Sequence, residues 1–490
     1  MEHLLSLTMV FLFVGIWYLN PEKRIFLAPA VIAMISAVTS LYFQEYLEIN
    51  DFIKHLSLDF ILLAGFLFVF QFFKHLEWSI LLLLFLAAVF FFAHAYVPQP
   101  SKSLNENSEL IIYLEDDQVK QTILQKYKKE IIEMDIAFAL SDIESTTLDD
   151  YLTIDIQNNI DPHKLVLELR RMPGVLWVEE NQEIKLPEFL DFPNSEVKYK
   201  SGFNDPLSAN QWHVSKFSVS SMQEKLKKLS KKRKKETTIA ILDTGIDSKH
   251  EDLAAAYKSS GIKTYDSDQK GHGTHCAGVA AAITNNSKGV ASLSPDSKAI
   301  KVMSIQVLNN FGFGTQQTII NGILKAADLG ADVISMSLGG MTSESKEKAY
   351  EEAVSYANKK GAIVVVAAGN SGKSALQFSP ANTKGVIAVT AIDSTLSIAN
   401  FGNDVTGLEM GIAAPGVNIL STYPNNTYKT FNGTSMAAPF VSGMIGLIKS
   451  YYPDIKTREA YKMLIKGDLT ANNKKSTPIL LPDQVVEEFK

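Results

Sequence analysis

From Thr238 onward the chain repeats one pattern, in which a short run that is apolar at almost every position precedes a stretch of helical period. Thr238-Ile239-Ala240-Ile241-Leu242, Val333-Ile334-Ser335-Met336-Ser337 and the segment from Ala362 to Val366 are such runs, and Lys346 to Lys359 has helical period. A strand without polar alternation has both faces buried. Such strands between amphipathic helices predict an α/β fold, a mostly parallel sheet covered by helices. Ligand chemistry on such a sheet belongs at the carboxyl ends of its strands. A length of 490 residues, 46% of them hydrophobic, with a net charge of -6, excludes a single small module and global disorder. The absence of a basic balance argues against nucleic acid as a partner. Cys276 is the one cysteine, which excludes an intramolecular disulfide and a thiolate zinc site.

Residues 1–98 are of a different kind. Leu4 to Leu19, Ile25 to Phe43, Leu58 to Phe73 and Trp78 to Val97 are apolar stretches near the roughly 17–25 residues that a bilayer-crossing helix needs. They predict a transmembrane segment of about four helices. Lys23, Arg24 and Lys74 in the first and third loops, against Lys54 and Lys102 on the other side, predict a multi-pass membrane protein with the bulk of the chain extracytoplasmic and the lipid bilayer as a partner. Residues 108–186 read as a strand at Leu110 to Leu114, a Lys-rich helix, a strand near Tyr151 to Ile154, a helix from Pro162 to Arg171, and a last strand at Val175 to Glu180. That suits a small ferredoxin-like α+β domain of β-α-β-β-α-β order. A linker at 187–202 leads into a third domain, 203–490.

Three windows in this last domain carry chemistry. Asp243 directly follows the buried run ending in Leu242. His272 stands in Gly271-His272-Gly273-Thr274-His275-Cys276-Ala277-Gly278, and Ser435 in Asn432-Gly433-Thr434-Ser435-Met436-Ala437-Ala438-Pro439. A carboxylate to fix an imidazole tautomer, an imidazole to take a hydroxyl proton and a serine to attack a carbonyl are what nucleophilic acyl transfer needs. The order Asp, His, Ser is one of three known for this machinery.

In these windows and their order the chain resembles the subtilisin-like (subtilase, S8) serine peptidases, from about Asp205 to the C-terminus, with the Cys276-containing motif of the proteinase K-like branch. The resemblance implies a serine endopeptidase acting on polypeptides through an acyl-enzyme, with Asp243, His272 and Ser435 as its triad. It implies that Asn370, in Ala367-Ala368-Gly369-Asn370, donates to the oxyanion. Ser337, Leu338 and Gly339, with Ala367, Ala368 and Gly369, would wall the pocket for the residue before the scissile bond. Gly312, Phe313 and Gly314 would be the edge to which an extended substrate adds. Phe378 falls where many relatives have a small residue, which predicts a shallow pocket for small or medium side chains. His250 and His275 correspond to structural positions, and Cys276 to a residue packed beneath the site.

No cofactor is required for the chemistry. Asp252 and Asn286, with the loop Thr284 to Val290 and an oxygen from Asp205 or Gln211, resemble the family's structural calcium site; the alternative is a metal-free loop held by hydrogen bonds. The segment 108–186 is similar to an I9-type propeptide, which would make the chain's own propeptide a partner and the protein a self-processed zymogen cut between Asn181 and Gly202; the alternative is a permanent adaptor. The other reading of the whole is a non-catalytic membrane protein using a subtilase domain as a binding module. Eight positive charges in the eleven residues Lys225 to Lys235 read as a solvated helix face or as a contact for anionic lipid headgroups.

Overall fold

The computed structural model describes residues 109–138, 147–186, 197–342 and 348–489. The four apolar stretches of residues 1–98 lie outside the described residues. Among the described residues no helix is long and apolar enough to cross a membrane, and this overturns the expected multi-pass membrane localisation with an extracytoplasmic peptidase domain. The 18-residue helix nearest to that length, Thr434–Tyr451, is buried along its whole course within the protein, so its apolar character serves sheet packing.

The described chain starts with β1 (Leu110–Leu114), α1 (Asp117–Lys126), β2 (Ile131–Ile136), β3 (Tyr151–Ile156), α2 (Pro162–Leu169) and β4 (Val175–Glu180), followed by a short β5 (Glu183–Lys185). Strands β1 to β4 form one sheet in the order β2-β3-β1-β4, and the pairs β1 with β3, β1 with β4 and β2 with β3 are antiparallel. Side chains alternate between its faces with period 2. Leu110, Ile112, Ile154 and Val178 pack with Ile123 of α1 and Leu165 and Leu169 of α2. Ile111 and Tyr151 face the other way, into a cluster shared with the large domain. Strand β2 escaped the sequence reading because only Ile131 and Met134 of its six residues are buried, a spacing of three that has no strand alternation.

The large domain continues with α3 (Trp212–Lys216), α4 (Val219–Lys228), β6 (Thr237–Asp243), α5 (His272–Ala281), β7 (Ile300–Gln306), β8 (Phe313–Thr315), α6 (Gln316–Asp328), β9 (Val333–Met336), β10 (Gly340–Met341), α7 (Lys348–Lys359), β11 (Ile363–Ala367), β12 (Phe378–Ser379), β13 (Val386–Ile392), β14 (Gly411–Pro415), β15 (Ile419–Tyr423), β16 (Thr427–Phe431), α8 (Thr434–Tyr451), α9 (Thr457–Leu464) and α10 (Pro482–Glu487). Six strands make a parallel sheet in the order β14-β13-β11-β9-β6-β7. Every residue of β6 is buried, and its side chains divide between two cores. Ile239 and Ile241 pack with α5 and α8, whereas Ala240 and Leu242 pack with α6 and α7. Each fully buried Ile or Leu contributes about 1.5–3 kcal/mol, so a polar residue at either parity would open one of the two layers.

Three of the eight charges in the basic run are paired across the fold, whereas Lys227, Lys228, Lys231, Lys232 and Lys234 are exposed, as on a solvated face. Lys225 of α4 pairs with Asp483 and Glu487 of α10 at 2.8 and 2.7 Å, Arg233 with Asp296 at 2.9 Å, and Lys235 with Asp332. These partners lie far away in sequence, so the three pairings could not be read from the run. Each pair is partly exposed and worth little alone, but together they fix the C-terminal helix and the entry to β6.

Candidate active site

Asp243 ends β6 at the carboxyl edge of the sheet, fully buried, and both of its carboxylate oxygens lie 2.8 Å from His272 Nδ1. Its Oδ1 also accepts from the Thr244 N–H at 2.8 Å. His272 opens α5, and the helix seats close to β6 because its second residue is glycine. A Cβ on Gly273 would lie 2.1 Å from the Gly245 carbonyl oxygen. Asp268 secures the start of this helix. Its Oδ1 accepts from Gly271 N and Thr244 Oγ1 at 2.7 and 2.9 Å, and its Oδ2 from Thr274 N and Thr274 Oγ1 at 2.9 and 2.7 Å. An acceptor at a helix start satisfies amides that have no intrahelical partner. Burial alone would depress the His272 imidazole, but the Asp243 carboxylate against it prevails and holds it well above its ordinary range.

Ser435 is the second residue of α8, just after Gly433 at φ +156°. Pro439 stands four residues on and has no N–H, so the Ser435 carbonyl lacks its helical donor. That carbonyl instead accepts from Ser337 Oγ at 2.7 Å and from the Cys276 thiol at 3.4 Å. The Ser435 hydroxyl donates to the Ser337 carbonyl at 3.1 Å. Cys276 Sγ also lies 4.0 Å from both ring nitrogens of His272, so the sulfur touches serine and histidine alike. Burial pushes the Cys276 thiol up, leaving it a packed donor rather than a nucleophile.

Asn370 follows β11. Its Oδ1 accepts from Thr434 N and Thr434 Oγ1, both at 2.9 Å, which turns Nδ2 outward as a donor. A Cβ on Gly433 would lie 3.4 Å from Asn370 Nδ2 and 3.6 Å from Ser435 N. Two donors thus converge on one small space that only glycine leaves open, and an oxyanion requires such an arrangement.

Ser337, Leu338 and Gly339 follow β9, and Ala367 ends the neighbouring strand β11, with Ala368 and Gly369 following it. Phe378 closes the space between them. It is 7% exposed, its Cδ1 lies 3.2 Å from the Cβ position of Gly369, and β12 pairs antiparallel with β10 through Phe378 and Met341. Gly312, Phe313 and Gly314 are not vacant. Strand β5 pairs antiparallel with β8, setting Glu183 opposite Thr315, Ile184 opposite Gly314 and Lys185 opposite Phe313, and the Leu186 N–H donates to Gly312 O at 2.9 Å. Ile184 is buried with its Cδ1 3.0 Å from the Cβ position of Gly340, and Lys185 Nζ lies 4.9 Å from the centroid of the Phe313 ring.

Asp252 is fully buried, accepts from Asn286 Nδ2 at 2.6 Å and Val290 N at 2.9 Å, and is pushed up to about 7, chiefly by burial. Asp205 accepts from Asn285 N and Asn286 N at 2.8 and 2.9 Å, and burial raises it too. Two buried carboxylates from separate segments thus face one loop that is held by hydrogen bonds, with Asn286 presenting Nδ2 to Asp252 while its Oδ1 accepts from Lys288 N at 2.8 Å; with that amide turned over, they and the loop carbonyls would offer a hard-oxygen donor set for calcium. Gln211 does not join it. Its amide is spent on Ala291 N, Ala291 O and Leu420 O. His250 braces the same region, with Nε2 3.1 Å from Thr427 O and Nδ1 accepting from Asp252 N at 3.1 Å. His275 Nε2 lies 3.1 Å from both Ile419 O and Lys429 O. Reading the sequence missed Asp268, Thr434 and the second role of Ser337. Only Asp268 left a signal, an acid just ahead of a helix start.

A family model described as the subtilase family matches residues 234–479. Thermitase of Thermoactinomyces vulgaris is 45% identical over 217 residues, covering 43% of this chain and 74% of that protein. Subtilisin DY of Bacillus licheniformis is 43% identical, covering 46% and 81%. A thermophilic serine proteinase of Bacillus sp. strain AK1 is 33% identical over 72% of this chain and 82% of its own, a share too large to fit between residue 234 and the C-terminus. Among solved structures, a protease from Pseudoalteromonas arctica PAMC 21717 superposes with a TM-score of 0.52 at 27% identity, covering 59% of this chain and 99% of that one.

Proposed function

Because the chain belongs to the subtilase family of serine peptidases, we propose that it is an endopeptidase that acts through an acyl-enzyme on Ser435 and makes its first cut in its own chain. The observation that carries the chemistry is the pairing of His272 Nδ1 with Asp243 at 2.8 Å beside the two donors converging over Gly433. With Nδ1 held by the carboxylate, Nε2 is the position that takes the Ser435 proton as Oγ leaves the Ser337 carbonyl and attacks. The oxyanion then accepts from Asn370 Nδ2 and Ser435 N. His272 returns the proton to the leaving amine, and water completes the second half.

Self-cleavage is supported by the strand already lying in the cleft. Residues 108–186 act as the ferredoxin-like inhibitor domain, β5 lies along β8 as a substrate would, and the linker 187–202 supplies the bond to be cut before the peptidase domain 203–490. The likeness to the AK1 proteinase reaches ahead of residue 234, into the segment that this reading assigns to the inhibitor domain. Phe378 restricts the residue before the scissile bond to small or medium side chains. Asp205, Asp252 and Asn286, with carbonyls of the loop 284–290, would hold a structural calcium that stiffens the loop and takes no part in the chemistry.

Expression of the full chain tests this. The wild type should yield a fragment whose new N-terminus falls within 187–202, and Ser435→Ala should remain intact. The same cut in Ser435→Ala, expressed alone, would return the domain to a non-catalytic binding module.

A further inference from the structure

The donor Asn370 sits in a loop, and a loop has no ladder of its own to hold it. Gly369 at φ +99° and Gly372 at φ +62° flank Asn370 in left-handed conformations, so the segment depends on outside anchors. Thr434 provides one set, donating to Asn370 Oδ1 and accepting from Gly369 N at 3.2 Å, and Asn403 provides the other. It is fully buried; its Oδ1 accepts from Ser371 N and Lys373 N, both at 3.0 Å, and its Nδ2 donates to Ala368 O at 2.8 Å. Its own N–H donates to Gly369 O at 3.0 Å. The other ties between the two segments run through backbone alone, Gly372 N to Phe401 O, Asp404 N to Lys373 O and Ala375 N to Asp404 O, each at 2.8 Å. Gly369 is required for this approach, since a Cβ there would lie 2.5 Å from Asn403 Nδ2.

We propose that Asn403 is a positioning residue for the reaction, whose side-chain amide grips the backbone on both sides of Asn370 and so sets where the Asn370 donor stands. It does not touch the reacting atoms. An oxyanion donor acts only when it is placed where charge develops, and a misplacement of about 1 Å can cost on the order of 100-fold. Without the amide, the N–H groups of Ser371 and Lys373, on residues that are themselves exposed, exchange their protein acceptor for water, and the loop loses the contact that fixes its course.

This inference rests on the peptidase reading, and a double-mutant cycle separates the two. The full-length chain and its Asn403→Ala, Asn370→Ala and doubly substituted forms are assayed on a chromogenic peptide, with rates normalised by active-site titration. Asn403→Ala should lower kcat by about 10- to 100-fold in the wild-type background, and by less than about threefold where Asn370 is already alanine. An equal fall in both backgrounds, or a kcat within about twofold of wild type for Asn403→Ala, overturns the proposal. If Asn370→Ala itself costs nothing, the oxyanion reading fails and this inference with it; a costly Asn370→Ala beside a silent Asn403→Ala sinks the inference alone. Should Asn403→Ala fail to accumulate, Asn403→Asp goes through the same cycle, since it keeps the acceptor for Ser371 and Lys373 and loses only the donor to Ala368.

Discussion

Gly273→Ala is a substitution that helix propensity alone would favour by about 0.5–1 kcal/mol, because glycine inside a helix costs conformational entropy. The packing reverses the expectation. The added Cβ would fall 2.1 Å from Gly245 O and 3.1 Å from Asp243 Cβ, and the first of these is backbone that follows directly from β6. To restore ordinary contact, α5 must withdraw by about 1 Å, a displacement of the size that costs on the order of 100-fold when it parts reacting groups. The helix carries His272 with it, and the 2.8 Å bond to Asp243 opens beyond hydrogen-bond range. Losing the carboxylate's hold on the imidazole tautomer costs up to about 10,000-fold in kcat. Purified Gly273→Ala, titrated for active sites, should therefore fall in kcat by between about 100- and 10,000-fold. Gly322→Ala on α6 is the control for a helix glycine that meets a clash away from the triad, since there the added Cβ falls 2.3 Å from Cγ1 of the stiff Val307 side chain and α6 carries none of the three triad residues. A Gly273→Ala enzyme within tenfold of wild type, or no worse than Gly322→Ala, would refute the argument that this glycine sets the distance between the sheet and the catalytic helix.

Phe378→Gly should raise kcat/KM for phenylalanine over alanine before the scissile bond by about 30-fold, the worth of burying one ring in the vacated space; a wild type that already prefers phenylalanine, unchanged by the substitution, would disprove the shallow pocket. Calcium at 100 times its dissociation constant should stabilise Ser435→Ala by about 2.7 kcal/mol in thermal or urea unfolding, and Asp252→Asn should abolish the increment. Acid should destabilise the fold through His213 and His275, both buried and pushed down to about 3. A histidine kept neutral in the fold but titrating near 6.5 when unfolded contributes full stability above that pH. The contribution is lost as pH falls toward 3, up to about 4–5 kcal/mol each. His213→Leu should flatten the pH dependence of unfolding of Ser435→Ala between pH 7 and 4, and an unaltered slope would count against this account.

The parallel sheet was legible because its strands are apolar on both faces, and Asp243, His272 and Ser435 stood in short windows whose residue types suit one chemistry. Asn403, Thr434 and Ser337 were not legible as supports, since each acts through backbone groups 30 to 98 residues distant and follows no period. The pairing of Lys225 within the basic run was hidden for the same reason, since its partner Asp483 is 258 residues away. Gln211 looked like an oxygen donor for a metal, but its amide was already committed to β15 and the Val290–Ala291 segment. Chemical type is local in sequence, whereas the clamps that give it geometry are made by the fold.

The pairing of β5 with β8 has a kinetic consequence. If substrate adds to β8 as proposed, then while Glu183–Lys185 remain joined to Phe313–Thr315 through one chain, any substrate would compete with a strand whose effective concentration is of order millimolar. A break anywhere in 187–202 would remove the tether and none of these contacts: the buried Ile184, the bond from Leu186 to Gly312, and the grip of Asn181 Oδ1 on Gln317 N and of Glu179 on Gln316. Under the proposed self-cleavage, onset of activity would then be timed by the residence of a detached strand. Dilution, or destruction of the released domain, becomes the event that turns a cut molecule into a working one.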